Sequence, residues 1–247
     1  ESPTLDYSEH LRVIELTVQF AKGRVPVMAG TGANSTREAV YLTAEAARLG
    51  AGATLQVAPY YNKPTPEGLY RHFREIAEST RLPVILYSIP GRCGVEIAVD
   101  TVRRLASDCR NVIGIKEAGG NADRVSQLRA ACGPRFTILS GDDSLTLPFM
   151  SVGAQGVVSV AANIAPRPVS RMVRAFASGD PAGARKLHAQ LYPLFKDLFL
   201  ETNPVPVKAA LAMMGLMAEE SRLPLCPMAP THREQLAATL RALRLLK

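Results

Sequence analysis

Short apolar runs rich in β-branched residues alternate along this chain with longer segments in which apolar positions recur at helical spacing. The runs fall at 25–30, 53–59, 84–89, 112–116, 136–140 and 156–160. Their near-continuous apolar character predicts strands covered on both faces, and the alternation with helices predicts parallel βαβ units. Several helix starts can be read directly. A first helix begins near Asp6 with Leu11, Ile14 and Val18 on one face. Ser35 followed by Glu38 predicts a capping box, after which Ala39, Leu42, Ala46 and Leu49 keep one apolar face until Gly50. Thr65 and Pro66 predict an N-cap with proline at the first helical position, turning Leu69, Phe73 and Ile76 inward. From Pro181 onward the pattern is helical and broken by prolines.

A doubly wound sheet would announce a glycine-rich phosphate turn after its first strand, and neither G-x-G-x-x-G nor G-x-x-x-x-G-K-[ST] occurs. The expected fold is therefore an α/β TIM barrel, (β/α)8, followed by extra C-terminal helices. Such a barrel closes with eight strands. The first helix follows directly on Glu1, so the first two strands and the helix between them are expected upstream of the sequence. The expected division is a barrel part over 1–178, holding strands three to eight, and a helical region over 179–247 packed on it.

Composition narrows the function more than the fold. Hydrophobic residues make up 47% and charged residues 21% of the 247 residues, as in an ordinary globular protein. The net charge of +7 is spread through helical segments, without a basic tract or an RNA-binding signature, so neither nucleic acid nor membrane is expected as a partner. Cys93, Cys109, Cys132 and Cys226 lie far apart, with no spacing that suits a metal or a redox pair. No apolar run reaches a membrane span and nothing resembles a signal peptide, which makes the cytoplasm the expected location.

In a barrel the chemistry gathers where strands end. The run at 112–116 closes in Lys116 and is followed by Glu117; the run at 84–89 carries Tyr87 and leads to Arg92; the run at 136–140 leads to Gly141, Asp142 and Asp143. A lysine closing an apolar strand is a candidate nucleophile, because desolvation favours the uncharged amine. It could equally snorkel to the barrel mouth or pair with Glu117 or Asp142. Tyr87 could carry protons to and from a carbinolamine, or merely fill the barrel. Arg92, just past Pro90-Gly91, could clamp a carboxylate or be an ordinary surface arginine.

Together these residues resemble the dihydrodipicolinate synthase family, within the pyruvate-dependent class I aldolases that include N-acetylneuraminate lyase. The resemblance runs through Ala29-Gly30-Thr31-Gly32-Ala33-Asn34, Pro59-Tyr60-Tyr61-Asn62-Lys63-Pro64, Glu67-Gly68-Leu69-Tyr70, Gly114-Ile115-Lys116-Glu117-Ala118, Ser140-Gly141-Asp142-Asp143 and Asn203-Pro204-Val205-Pro206-Val207-Lys208. It implies a lyase that condenses pyruvate with aspartate semialdehyde to 4-hydroxy-tetrahydrodipicolinate, on the route to diaminopimelate and lysine. It implies that Lys116 forms an imine with pyruvate and that no separate cofactor is needed. Tyr87 would relay protons, and Tyr61 would reach into a partner subunit's site. Gly141 and Val158 would line the pyruvate pocket through their backbones. Arg92, in the pattern Tyr87-Ser88-Ile89-Pro90-Gly91-Arg92, would hold the carboxylate of the semialdehyde, an arginine that sugar-acid lyases usually lack.

The resemblance further implies a homotetramer of tight dimers and an L-lysine feedback site at Ser2, Tyr7, His10, Asn34, Glu38 and Tyr60. Tyr7 and Pro3 depart from the residues common in bacterial relatives, which points to weak or absent inhibition. Family members carry a Thr-Thr-Gly stretch before the glutamate that matches Glu1. Two further readings stay open: a pyruvate-dependent aldolase for another 2-keto acid, and a silent barrel that only binds ligand.

Overall fold

The computed structural model describes residues 1–246. Six strands form one parallel α/β sheet in chain order: β1 (Met28–Gly30), β2 (Ala53–Val57), β3 (Val84–Ser88), β4 (Val112–Glu117), β5 (Thr137–Ser140) and β6 (Gly156–Val157). Each lies within a run anticipated from the apolar pattern or overhangs it by one residue. β1 is shorter than its run because Val25 is exposed and Pro26 offers no backbone donor. The eight-stranded closed barrel is not what the described residues contain. They supply six strand-forming segments, and the pairing runs in a single series from β1 to β6.

The chain forms two compact units. One comprises Leu5–Gly141 with Val152–Gln155 and holds β1 to β5. Its helices are α1 (Tyr7–Ala21), α2 (Thr36–Arg48), α3 (Pro66–Glu78), the short α4 (Pro90–Cys93), α5 (Val99–Asp108) and α6 (Ala122–Cys132). Their starts follow the local chemistry. Asp6 and Glu9 close a capping box in both directions on α1; Ser35 accepts from Glu38 N at 3.5 Å; Thr65 accepts from Gly68 N at 3.2 Å, with Pro66 inside the first turn of α3.

Register divides this sheet into rows. Gln56, Leu86, Ile115 and Ile138 lie side by side and are fully buried beneath the helices. Each such Leu or Ile contributes about 1.5–3 kcal/mol on leaving water. One residue further along, Val57, Tyr87, Lys116 and Leu139 share a row on the opposite face, where all four are half-buried. The next row, Ser88, Glu117 and Ser140, returns to the helix side and is again fully buried. Parallel pairing thus sets the amine and the phenol of adjacent strands on one face and the carboxylate of Glu117 on the other.

The second unit comprises Glu1–Thr4, Asp142–Ser151 and the chain from Gly156 onward. It contains β6, α7 (Thr146–Ser151), α8 (Pro166–Ala177), α9 (Pro181–Asp197), α10 (Val205–Met213) and α11 (Pro230–Ala242). Leu147, Met172, Leu194, Phe195, Leu236 and Leu240 pack into its core. Asp143, itself buried, accepts from Ser159 Oγ and, at 3.0 Å each, from Val160 N and Ala161 N, and so fixes the segment that follows β6.

Candidate active site

Lys116 Nζ lies 3.9 Å from the centroid of the Tyr87 ring, across the register pair that joins β3 to β4. An amine so placed is held against a π face and within a few bond lengths of the phenol. Burial pushes the Tyr87 phenol above its usual pKa, and Arg92 pulls against that rise, with the Cys93 thiol adding a smaller upward push. The opposing pull of Arg92 brings its guanidinium into the electrostatic reach of Tyr87. Arg92 sits exposed in the last turn of α4, which begins at Pro90 and ends on Gly94 in the left-handed region.

Gly141 lies where the chain leaves β5, and its N–H donates to Glu117 O at 2.7 Å. A Cβ there would come to 2.5 Å of Ala118 Cβ and 3.1 Å of Lys116 Cε. Only glycine leaves the lysine stem its present course. The alternative that Lys116 pairs with Glu117 is corrected by the pleat: the Glu117 carboxylate points behind the sheet, where Oε2 accepts from Arg124 Nε at 2.8 Å and Oε1 from Gly119 N at 2.7 Å. Burial raises the Glu117 pKa, while Arg124 and the Gly119 N–H hold it down.

Tyr61 projects from the loop after β2, 91% exposed, with its backbone at φ 74°. Tyr60 beside it is partly buried, and burial followed by the nearby Glu38 carboxylate raises its pKa. Asn34 Nδ2 donates to Tyr60 O at 3.2 Å, and Asn62 Nδ2 donates to Asn34 O at 2.9 Å. His10 Nε2 lies 2.8 Å from Gly30 O, and Tyr7 tilts against Tyr41 at 5.7 Å between ring centroids. Asn34, Glu38 and Tyr60 are therefore brought together, with His10 and Tyr7 on the neighbouring α1. Ser2 and Val158 belong to the other compact unit, Ser2 in a single 3₁₀ turn over Ser2–Thr4 and Val158 directly after β6.

Sequence patterning missed Arg124. It is one charged residue in the first turn of α6 that reads as solvated, and only the partner carboxylate on β4 would have marked it as buried. No group of three or more metal-binding side chains occurs among the described residues, and no helix among them is long and apolar enough to cross a membrane.

A parallel sheet clothed by helices, with an amine facing a phenol at the carboxyl ends of adjacent strands, defines an α/β enzyme of the lyase class. The model of the Dihydrodipicolinate synthetase family matches residues 1–243, and the chain belongs to that family. It is 53% identical over 247 residues to the 4-hydroxy-tetrahydrodipicolinate synthase of Thermodesulfovibrio yellowstonii, covering 100% of this chain and 84% of that one. Among solved structures, the 4-hydroxy-tetrahydrodipicolinate synthase of Methylacidiphilum fumariolicum SolV superimposes with a TM-score of 0.96 at 56% identity, over 100% of this chain and 85% of the other. The chloride-inhibited enzyme of Acinetobacter baumannii complexed with pyruvate gives 0.97 at 46% identity, over 100% and 84%. The Cyanidioschyzon merolae protein with lysine bound gives 0.95 at 41%, over 99% and 83%.

Proposed function

We propose that this protein condenses pyruvate with L-aspartate 4-semialdehyde to give 4-hydroxy-tetrahydrodipicolinate, through a Schiff base on Lys116. The observation that carries the reading is the 3.9 Å approach of Lys116 Nζ to the Tyr87 ring. The amine attacks the keto carbon of pyruvate, and water leaves as the imine forms. Loss of a methyl proton gives the enamine, whose carbon adds to the aldehyde. The substrate's own amine then closes the ring and displaces Lys116. No cofactor is called for, because the protonated imine is itself the electron sink.

Tyr87 serves as the proton relay. Its raised pKa keeps the phenol protonated and able to donate at neutral pH. Arg92 supplies a planar fork for the semialdehyde carboxylate, and Gly141 lines the pyruvate pocket. Tyr61 completes the relay of a partner subunit; its exposure on a single chain supports a role outside that chain. A tight dimer follows from this reading, and the family resemblance supports pairing of such dimers into a homotetramer, in the cytoplasm, where the four free cysteines stay reduced. Tyr7, His10, Asn34, Glu38 and Tyr60 form the proposed L-lysine effector site, with Glu38 the counter-charge for an ammonium; the lysine-bound relative supports it.

Borohydride trapping with pyruvate followed by peptide mapping tests the central claim. A pyruvyl adduct on the peptide containing Lys116 is expected, and an adduct elsewhere would sink it. Arg92→Ala should raise the KM for the semialdehyde roughly tenfold or more while leaving trapping intact. Equal loss of both would remove the clamp. Trapping without consumption of the semialdehyde would favour an aldolase for another 2-keto acid.

A further inference from the structure

We propose that Arg124 is a positioning residue that holds the imine-forming lysine and the carboxylate-binding arginine in register, an inference that rests on the roles given to Lys116 and Arg92. Its side chain is 6% exposed and its guanidinium is spent in three directions. Nε donates to Glu117 Oε2 at 2.8 Å, Nη1 to Glu96 Oε2 at 3.2 Å, and Nη2 to Ile97 O at 2.5 Å. The first arm ends on the residue directly after Lys116 on β4. The other two end on the segment that follows α4, the helix that carries Arg92.

Further contacts tighten the same frame. Ile97 N donates to Ser88 Oγ at 3.4 Å, and Ser88 directly follows Tyr87 on β3. A Cβ on Gly119 would lie 2.7 Å from Glu117 Oε1, 3.3 Å from Glu96 Oε1 and 3.7 Å from Pro90 Cγ. Both carboxylates and the first residue of α4 therefore crowd one point behind the sheet. A planar, always-charged fork fixes the angle between its partners, which a lysine or an apolar side chain cannot do. A buried ion pair adds little stability over well-packed apolar residues, so what this one supplies is geometry. Bond formation between an enamine and an aldehyde needs both substrates placed to within about half an ångström. A single guanidinium bridging the two holding points meets that need.

The two arms can be cut separately. Glu96→Gln should raise the KM for aspartate semialdehyde about three- to tenfold and leave the rate of borohydride-trapped imine formation with pyruvate within about twofold of wild type. Glu117→Gln should slow trapping about tenfold and change the aldehyde KM by less than about twofold. Arg124→Met, which keeps the apolar stem, should do both. A role confined to stability would lower the melting temperature without separating these parameters. Glu96 is 45% exposed, so its variant folds even where Arg124→Met does not, and it decides alone in that case. Single-arm variants that shift both parameters together, or neither, overturn the inference. A wild-type protein that yields no adduct on Lys116 overturns the Schiff-base reading and this inference with it; an adduct with unsplit variants overturns this inference only.

Discussion

Gly141 shows how much of a site can rest on a missing methyl group. Its place after β5 is occupied on two sides, by Ala118 Cβ and by Lys116 Cε, so an added Cβ must displace the nucleophile's stem or the strand end. Gly141→Ala is expected to slow imine trapping by roughly tenfold while lowering stability by only about 1–3 kcal/mol, since overpacking moves atoms without unfolding them. Trapping at the wild-type rate in a folded variant would show that the lysine stem has room to spare. Lys116 and Tyr87 were legible in the sequence as strand-end residues, and their proximity follows from parallel pairing once the register is known. Glu117 was legible only as a neighbour of Lys116. Its true partner, Arg124, is seven positions along the chain on α6, and no local pattern links them.

At the scale of elements, capping and periodicity gave the helix starts, and the strands fell where the apolar runs are. The boundary shifted at β1, where Val25 is exposed and Pro26 offers no backbone donor. α3 illustrates a cost that patterning hides. Its His72 is buried with the ring, Nδ1 lies 2.9 Å from Thr36 Oγ1 on α2, and Nε2 has no partner. Burial lowers its pKa from 6.5 to about 4. The unfolded chain therefore binds a proton below about pH 6.5 that the folded chain refuses until about pH 4. The stability this group contributes is present above the higher value and lost as pH falls through the window, by up to about 3 kcal/mol. Chemical denaturation of wild type and His72→Gln between these pH values should show a smaller loss in the variant; identical slopes would place the ring in water.

On the scale of the whole molecule, one chain leaves Tyr61 pointing into solvent from a left-handed backbone position, a costly arrangement for a residue with nothing to do. If it completes a partner's relay, two inactive variants should complement each other. Mixing Tyr61→Phe with Lys116→Ala and allowing subunits to exchange should restore about a quarter of wild-type activity, since about half of random dimers are hybrids and each holds one complete site. No recovery after demonstrated exchange would confine Tyr61 to its own chain. The alternation of apolar runs and amphipathic segments determined by itself that this is a parallel α/β protein, and motif spacing determined its family, because both are local properties of the chain. Which face of β4 carries the amine and which buried guanidinium balances Glu117 were decided by tertiary structure, because register and the pairing of buried charge join residues that no short window of sequence contains together.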